Sequence, residues 1–245
     1  MPNRTLVILA AALFMLTVLV RAPARWLLAA APRSLECTLP AGSMWRGACG
    51  QLRIAGAVLS DVSWKLRPWR LLGGRLEVEL QSADANAPGT ARVSLGSGGR
   101  LALQDLRADL RIDSGFLPLF PSGWSGQLQL ALDSVEFKAG RLAAIHGTAT
   151  ARSLAQHSPA MPFGSYELHF TTTPQTDGAI VGNLRDLGGP LAVAGTLTIR
   201  NGSEYELAGL ASARPEASPE LAKAVEFLGP SDAQGRRQYS LAGTF

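Results

Sequence analysis

Residues 75–81 read RLEVELQ, and their strict alternation decides the fold class. Side chains of an extended chain point to opposite faces in turn. Leu76, Val78 and Leu80 therefore share one face, and Glu77 and Glu79 share the other. The pattern recurs further along. Residues 105–113 set Leu106, Leu110 and Ile112 against Arg107, Asp109 and Arg111. Residues 127–132 repeat it with Leu128, Leu130 and Leu132, and Val135 and Phe137 follow. Shorter strand signals lie at 51–55, 58–65, 91–95, 101–103, 166–170, 191–193, 197–199, 205–207 and 239–245. Repeated one-face alternation describes an antiparallel sheet with one dry and one wet face. Glu77 and Glu79 are accordingly read as solvated charges.

Turn chemistry fits this class. Gly96-Ser97-Gly98-Gly99 and Asn201-Gly202 read as hairpin turns. Pro118-Leu119-Phe120-Pro121 and Ser158-Pro159-Ala160-Met161-Pro162 read as loops. One or two short helices are expected. Residues 68–73 can make one turn. Residues 218–229 make the stronger case, with Ser218 as cap, Pro219 at the first helical position and Gly229 beyond the end.

The N-terminus is of another kind. Residues 5–20, TLVILAAALFMLTVLV, form an uncharged apolar run between Arg4 and Arg21. As a helix it would reach roughly 24 Å, slightly short of a hydrocarbon core of ~30 Å. One reading is a secretory leader cleaved at Ala29-Ala30-Ala31. The other is an uncleaved anchor, with Arg4 and Arg21 snorkelling and Trp26 in the interfacial belt. Arg21 and Arg25 lie where a leader is usually neutral, which favours the anchor. The expected architecture is thus mostly β. Residues 1–31 form a cytoplasmic tip, one transmembrane helix and a juxtamembrane segment, and 32–245 form an elongated, curved antiparallel β-domain. A weak repeat, Trp45-Arg46-Gly47 with Gly50-Gln51-Leu52 against Trp124-Ser125-Gly126-Gln127-Leu128, suggests halves at about 35–120 and 121–245.

Composition narrows the function. The formal net charge is +4, and of 23 basic residues only Lys65, Lys138 and Lys223 are lysine. The arginines are spread along strands, so no nucleic-acid partner is expected. Cys37 and Cys49 have no metal-site spacing. They read as a disulfide of an oxidising compartment, or else as two buried thiols. His146, His157 and His169 are scattered, and no nucleophile elbow or phosphate loop occurs. Catalytic, metal and cofactor sites are therefore expected to be absent.

The chain resembles the protein N family of bacterial type II secretion systems. The resemblance rests on the short apolar segment, on 42–47 (GSMWRG) and on 59–68 (LSDVSWKLRP). Gly188-Gly189-Pro190-Leu191, Asn201-Gly202 and Tyr205-Glu206-Leu207 complete it, in order and spacing. It implies a single-pass protein of the bacterial inner membrane with a periplasmic β-domain. Such a protein would be an accessory part of the exporter of folded proteins, with other secretion-system subunits as partners. The family is also similar to periplasmic β-domains that handle lipids. Two surfaces follow as expectations. Trp45, Trp64 and Trp69 could form a protein contact, with core packing as the competing reading. Leu76, Val78, Leu80, Leu106, Leu110, Ile112, Leu128, Leu130 and Leu132 could line a groove for acyl chains, with a closed core as the competing reading.

Overall fold

The computed structural model describes residues 2–29, 35–54, 57–71, 73–96, 98–112, 123–158, 160–171 and 178–244. The loop expected at 118–121, Pro159 and the Ala30-Ala31 site lie outside them. Thirteen strands follow one another: β1 (Leu35–Gly42), β2 (Arg46–Ile54), β3 (Ala57–Leu66), β4 (Leu76–Ser82), β5 (Gly89–Gly96), β6 (Arg100–Arg111), β7 (Trp124–Lys138), β8 (Arg141–His157), β9 (Ala160–Phe170), β10 (Ile180–Asp186), β11 (Leu191–Arg200), β12 (Glu204–Ala213) and β13 (Arg237–Thr244). They form one antiparallel sheet in strict sequence order, β1 to β13. The sheet is open, with β1 and β13 as its edges, and β6 pairs directly with β7 across the boundary suggested by the repeat. Four helices accompany it: α1 (Pro2–Val20), α2 (Ala24–Ala29), α3 (Pro68–Leu71) and α4 (Pro219–Glu226).

The strands are not plain two-fold ribbons. Leu39, Asp61, Asp105 and Ser153 adopt left-handed backbone in mid-strand. Each such position steps the alternation by one residue. Leu59 with Val62 spans Asp61 and Leu103 with Leu106 spans Asp105, so each pair shares a cluster though three apart. The pairing register also slips between Thr90 and Arg92 and between Leu132 and Ser134. Bulges of this kind bend strands and raise their twist. The curl is visible where the Asn201-Gly202 turn reaches β8, with the Leu142 N–H donating to the Gly202 carbonyl at 3.4 Å. A Cβ at Gly202 would lie 2.7 Å from the Leu142 oxygen. The positive φ of both turn residues, 54° and 71°, is what a tight hairpin of this type needs.

Two apolar clusters lie along the dry face. Leu132, Val135, Leu142, Phe170, Ile180 and Ile199 form one across β7 to β11. Ala24, Cys49, Leu52, Val62 and Trp64 form the other, where α2 meets the first strands. α4 begins as expected, with the Ser218 hydroxyl accepting from the Leu221 N–H at 3.2 Å. It ends at Glu226, three residues short of Gly229, and buries Leu221 and Val225.

α1 carries a largely exposed apolar surface among its described side chains. Leu6, Val7, Ile8, Leu9, Leu13, Phe14 and Met15 are each 63–70% exposed. Among the described residues no helix is long and apolar enough to cross a membrane.

One turn contact supplies a pH test. Asp84, between β4 and β5, accepts from the backbone N–H of Asn86 at 2.8 Å and of Ser60 at 2.7 Å. Those bonds hold its carboxyl below the usual carboxylate range. A depressed carboxylate stabilises above its unfolded pKa, and the stabilisation is lost as pH falls through the folded value. Asp84→Ala should cost about 1 kcal/mol at pH 7 in urea denaturation, and the difference should begin to shrink only below about pH 4 and vanish below the depressed folded value.

Candidate interaction surfaces

Cys37 and Cys49 are joined as a disulfide, with Cα atoms 5.7 Å apart. The bridge staples β1, an edge strand, to β2. It sits among Leu52, Val62 and Trp64, and Cys49 is 1% exposed.

The apolar stripe expected from the sequence is one surface. Leu80, Val78 and Leu76 pair across to Ala91, Val93 and Leu95. Leu106, Leu110 and their neighbours pair with Leu132 and Leu128. Leu110, Ile112 and Leu132 are buried. Leu76, Val78, Leu80, Leu106, Leu128 and Leu130 are half-buried. α2, α3 and α4 lie at the sheet's margins, against β1, β4 and β12. Burial along the stripe therefore comes chiefly from the sheet curling round its own dry face.

The opposite face differs from expectation. Glu77 is buried, 8% exposed, rather than solvated. Three arginines converge on it: Arg70 Nε at 3.3 Å, Arg67 Nη1 at 3.5 Å and Arg92 Nε at 3.7 Å. Arg67 also pairs with Glu79. Long guanidinium stems roof the carboxylate and remove it from water. Alternation assigns a side chain to a face but says nothing of what neighbouring side chains cover there.

The three tryptophans part company. Trp64 is a core residue, 7% exposed, with its indole N–H donating to the Met44 carbonyl at 3.2 Å. It is unavailable as a contact surface. Trp45 is half-buried. Trp69, on α3, is 81% exposed. His169 is an exposed strand residue whose Nδ1 lies 3.1 Å from the Thr148 hydroxyl. Among the described residues no group of three His, Cys, Asp or Glu side chains could hold a metal.

A further cluster has no local pattern in the sequence to mark it. Arg214 joins Asp186 at 2.5 Å and donates to the Gly189 carbonyl at 2.6 Å, clamping the β10–β11 turn to the end of β12. Tyr166 lies beside it and donates to the Phe163 carbonyl at 2.6 Å. Burial, and then the charge of Asp186, push its phenol up to about 12. Gly188-Gly189 belongs to the residues that carry the family resemblance, which marks neither Tyr166 nor Arg214 as a site.

The two edges are unlike. β1 carries Pro40, which has no N–H to offer, and Leu39 in left-handed backbone. Both blunt an edge against further pairing. β13 has neither, and its Leu241 is 57% exposed.

The family described as Type II secretion system (T2SS), protein N, matches residues 33–240. The chain belongs to that family. It is 28% identical over 213 residues to the Type II secretion system protein N of Aeromonas hydrophila, covering 84% of this chain and 82% of that one. It is 29% identical over 229 residues to the protein of the same description from Vibrio cholerae serotype O1, covering 86% of each. No solved structure gives a significant match. A component of a secretion system is the function the family carries, and other subunits of that system are the partners it implies.

Proposed function

We propose that this chain is a non-catalytic subunit of the type II exporter, held in the inner membrane by α1 with its β-domain in the periplasm. The family match over 33–240 carries the reading. The Cys37–Cys49 disulfide supports the compartment, because such bonds persist in oxidising spaces and are rare in the cytosol. The exposed apolar side chains of α1 support the anchor. Its 19 residues reach about 28 Å, close to a ~30 Å hydrocarbon core that modest thinning or snorkelling can match.

The binding mode is strand addition at β13. Its outward N–H and C=O groups are a template for a partner strand. Photocrosslinking residues placed at Gln238 and Leu241 should trap a secretion-system subunit in cells, and probes at Leu35 and Glu36 on β1 should trap less. Capture of no such subunit from either edge would remove the reading.

The half-buried stripe favours a second reading, in which the curled dry face holds an acyl chain. Leu76, Val78, Leu80, Leu106, Leu128 and Leu130 would touch it. If mass spectrometry of the purified chain finds no phospholipid or lipopolysaccharide, that reading loses its support.

A further inference from the structure

We propose that residues 67–71 and 73–75, between β3 and β4, form a membrane-surface wedge that docks the sheet's anchor-side end onto anionic phospholipid. This rests on the reading of α1 as an anchor and goes beyond it.

Three observations carry the inference. The first is position. The Met44 N–H in the β1–β2 hairpin donates to the carbonyl of Ala22, directly after α1, at 2.8 Å. Pro23 bridges to Ser43, and Ala22 is 1% exposed. The exit of α1 is thus bolted to one end of the sheet. The Leu66 N–H donates to the Trp45 carbonyl of the same hairpin at 2.8 Å, and α3 starts two residues later. At about 4.8 Å per strand, α3 lies some ~10–15 Å from the exit of α1.

The second is chemistry. Trp69 is 81% exposed and Leu71 is 44% exposed. An apolar pair held outside the core by a single helical turn has no packing role. Tryptophan with leucine, flanked by arginine, is the composition that settles at the headgroup layer.

The third is charge. Arg75, Arg100 and Lys138 line one recess of about 570 Å³, with Glu136 as its one acidic residue. They arrive from three different connections at the same end of the sheet. All three are exposed, and none forms an ion pair among the described residues. Glu136 in the same recess offsets one of the three charges, which leaves it net basic, whereas Arg67 and Arg70 are occupied by Glu77. Anionic headgroups supply the missing charge. Strand twist, roughly 20–25° per step, turns the later strand ends away and confines the contact to this neighbourhood.

The test uses the full chain in nanodiscs whose lipids carry brominated acyl chains, with one dye-labelled cysteine at a time. The native cysteines are already bridged, so labelling is selective. Leu9→Cys reports the anchor, Leu71→Cys the wedge and Asn86→Cys the far end. In discs containing phosphatidylglycerol, positions 9 and 71 should be quenched and position 86 should not. In pure phosphatidylcholine, position 71 should lose most of its quenching while position 9 keeps its own. Arg75→Gln with Arg100→Gln and Lys138→Gln should produce the same loss, and Trp69→Ala should weaken quenching at 71 in either lipid. Quenching at 9 without quenching at 71 overturns the wedge and leaves the anchor standing. No quenching at 9 overturns the anchor, and the wedge falls with it. Equal quenching at 71 in the two lipids, or full retention in the neutralised variant, overturns the assignment to anionic headgroups.

Discussion

Replacing Cys37 and Cys49 by alanine is expected to cost about 3 kcal/mol, the largest loss available from a covalent change in this chain. The bridge closes a loop of sequence separation 12, and on the chain-entropy model that restricts the unfolded ensemble by this amount. Packing adds to it. Cys49 is 1% exposed among Leu52, Val62 and Trp64, so losing its sulfur leaves a small void as well. The damage should be local. Each strand pairs only with its neighbours in sequence, so the sheet behaves as a one-dimensional array that opens from its ends. β1 is an end, and beyond the hairpin backbone at 43–45 the bridge is the covalent tie that holds it to β2. Hydrogen exchange should therefore accelerate most in β1 and β2, less in β3 and hardly at all beyond β7. The oxidised chain with added reductant should reproduce the double variant. A uniform rise in exchange over all thirteen strands would mean that the sheet unfolds as one unit, and the array picture would be wrong. The contact between Met44 and Ala22 stands on the same hairpin. The bridge thus also holds the point at which α1 meets the domain.

The class of the fold was legible in residues 75–81 because one-face alternation has a single economical explanation. Its length was harder to read. Residues 101–103 and 105–113 look like two strands, since Leu103 and Leu106 are three apart. They are one strand, β6, because Asp105 takes a left-handed conformation and steps the alternation. Leu132 and Val135 in β7 are also three apart, there across a slip of register between Leu132 and Ser134. β8, the longest strand, was invisible. Its core carries small residues, Ala143, Ala144, Gly147, Ala149 and Ala151, and alternation between alanine and threonine gives little hydropathy contrast. The candidate surfaces were legible only as far as one strand at a time allows. The disulfide follows from two cysteines near in sequence. The separate fates of Trp64 and Trp69 depend on where β3 stops, and five residues move a tryptophan from core to surface. The basic recess gathers Arg75, Arg100 and Lys138 from connections up to 63 residues apart in number (138 − 75), which no local pattern records.

Glu77 is the sharpest case of what a local pattern cannot see, and it carries the second large prediction. Glu77→Ala is expected to destabilise the domain by about 3 kcal/mol, far more than a wet-face glutamate would. A solvated carboxylate on a strand contributes well under 1 kcal/mol. Glu77 is instead 8% exposed and faces Arg67, Arg70 and Arg92. Its removal leaves three guanidinium groups crowded together without their common counter-charge, and that repulsion, rather than the lost attraction, dominates the cost. The geometry allows the two to be separated. Oε1 of Glu77 and Nε of Arg92 are both buried and lack a hydrogen-bond partner, and 3.7 Å between them is an ion pair but too long for a hydrogen bond. This contact should therefore be the cheapest to replace by apolar atoms. Glu77→Leu combined with Arg92→Met should recover most of the loss, since a well-packed apolar pair often matches a buried ion pair. Arg67 retains Glu79 in that variant, and Arg70 is free to turn to solvent. Urea denaturation of the single and double variants decides the matter. A single variant within about 0.5 kcal/mol of wild type would show that water reaches Glu77 after all, returning it to the solvated role that alternation assigns.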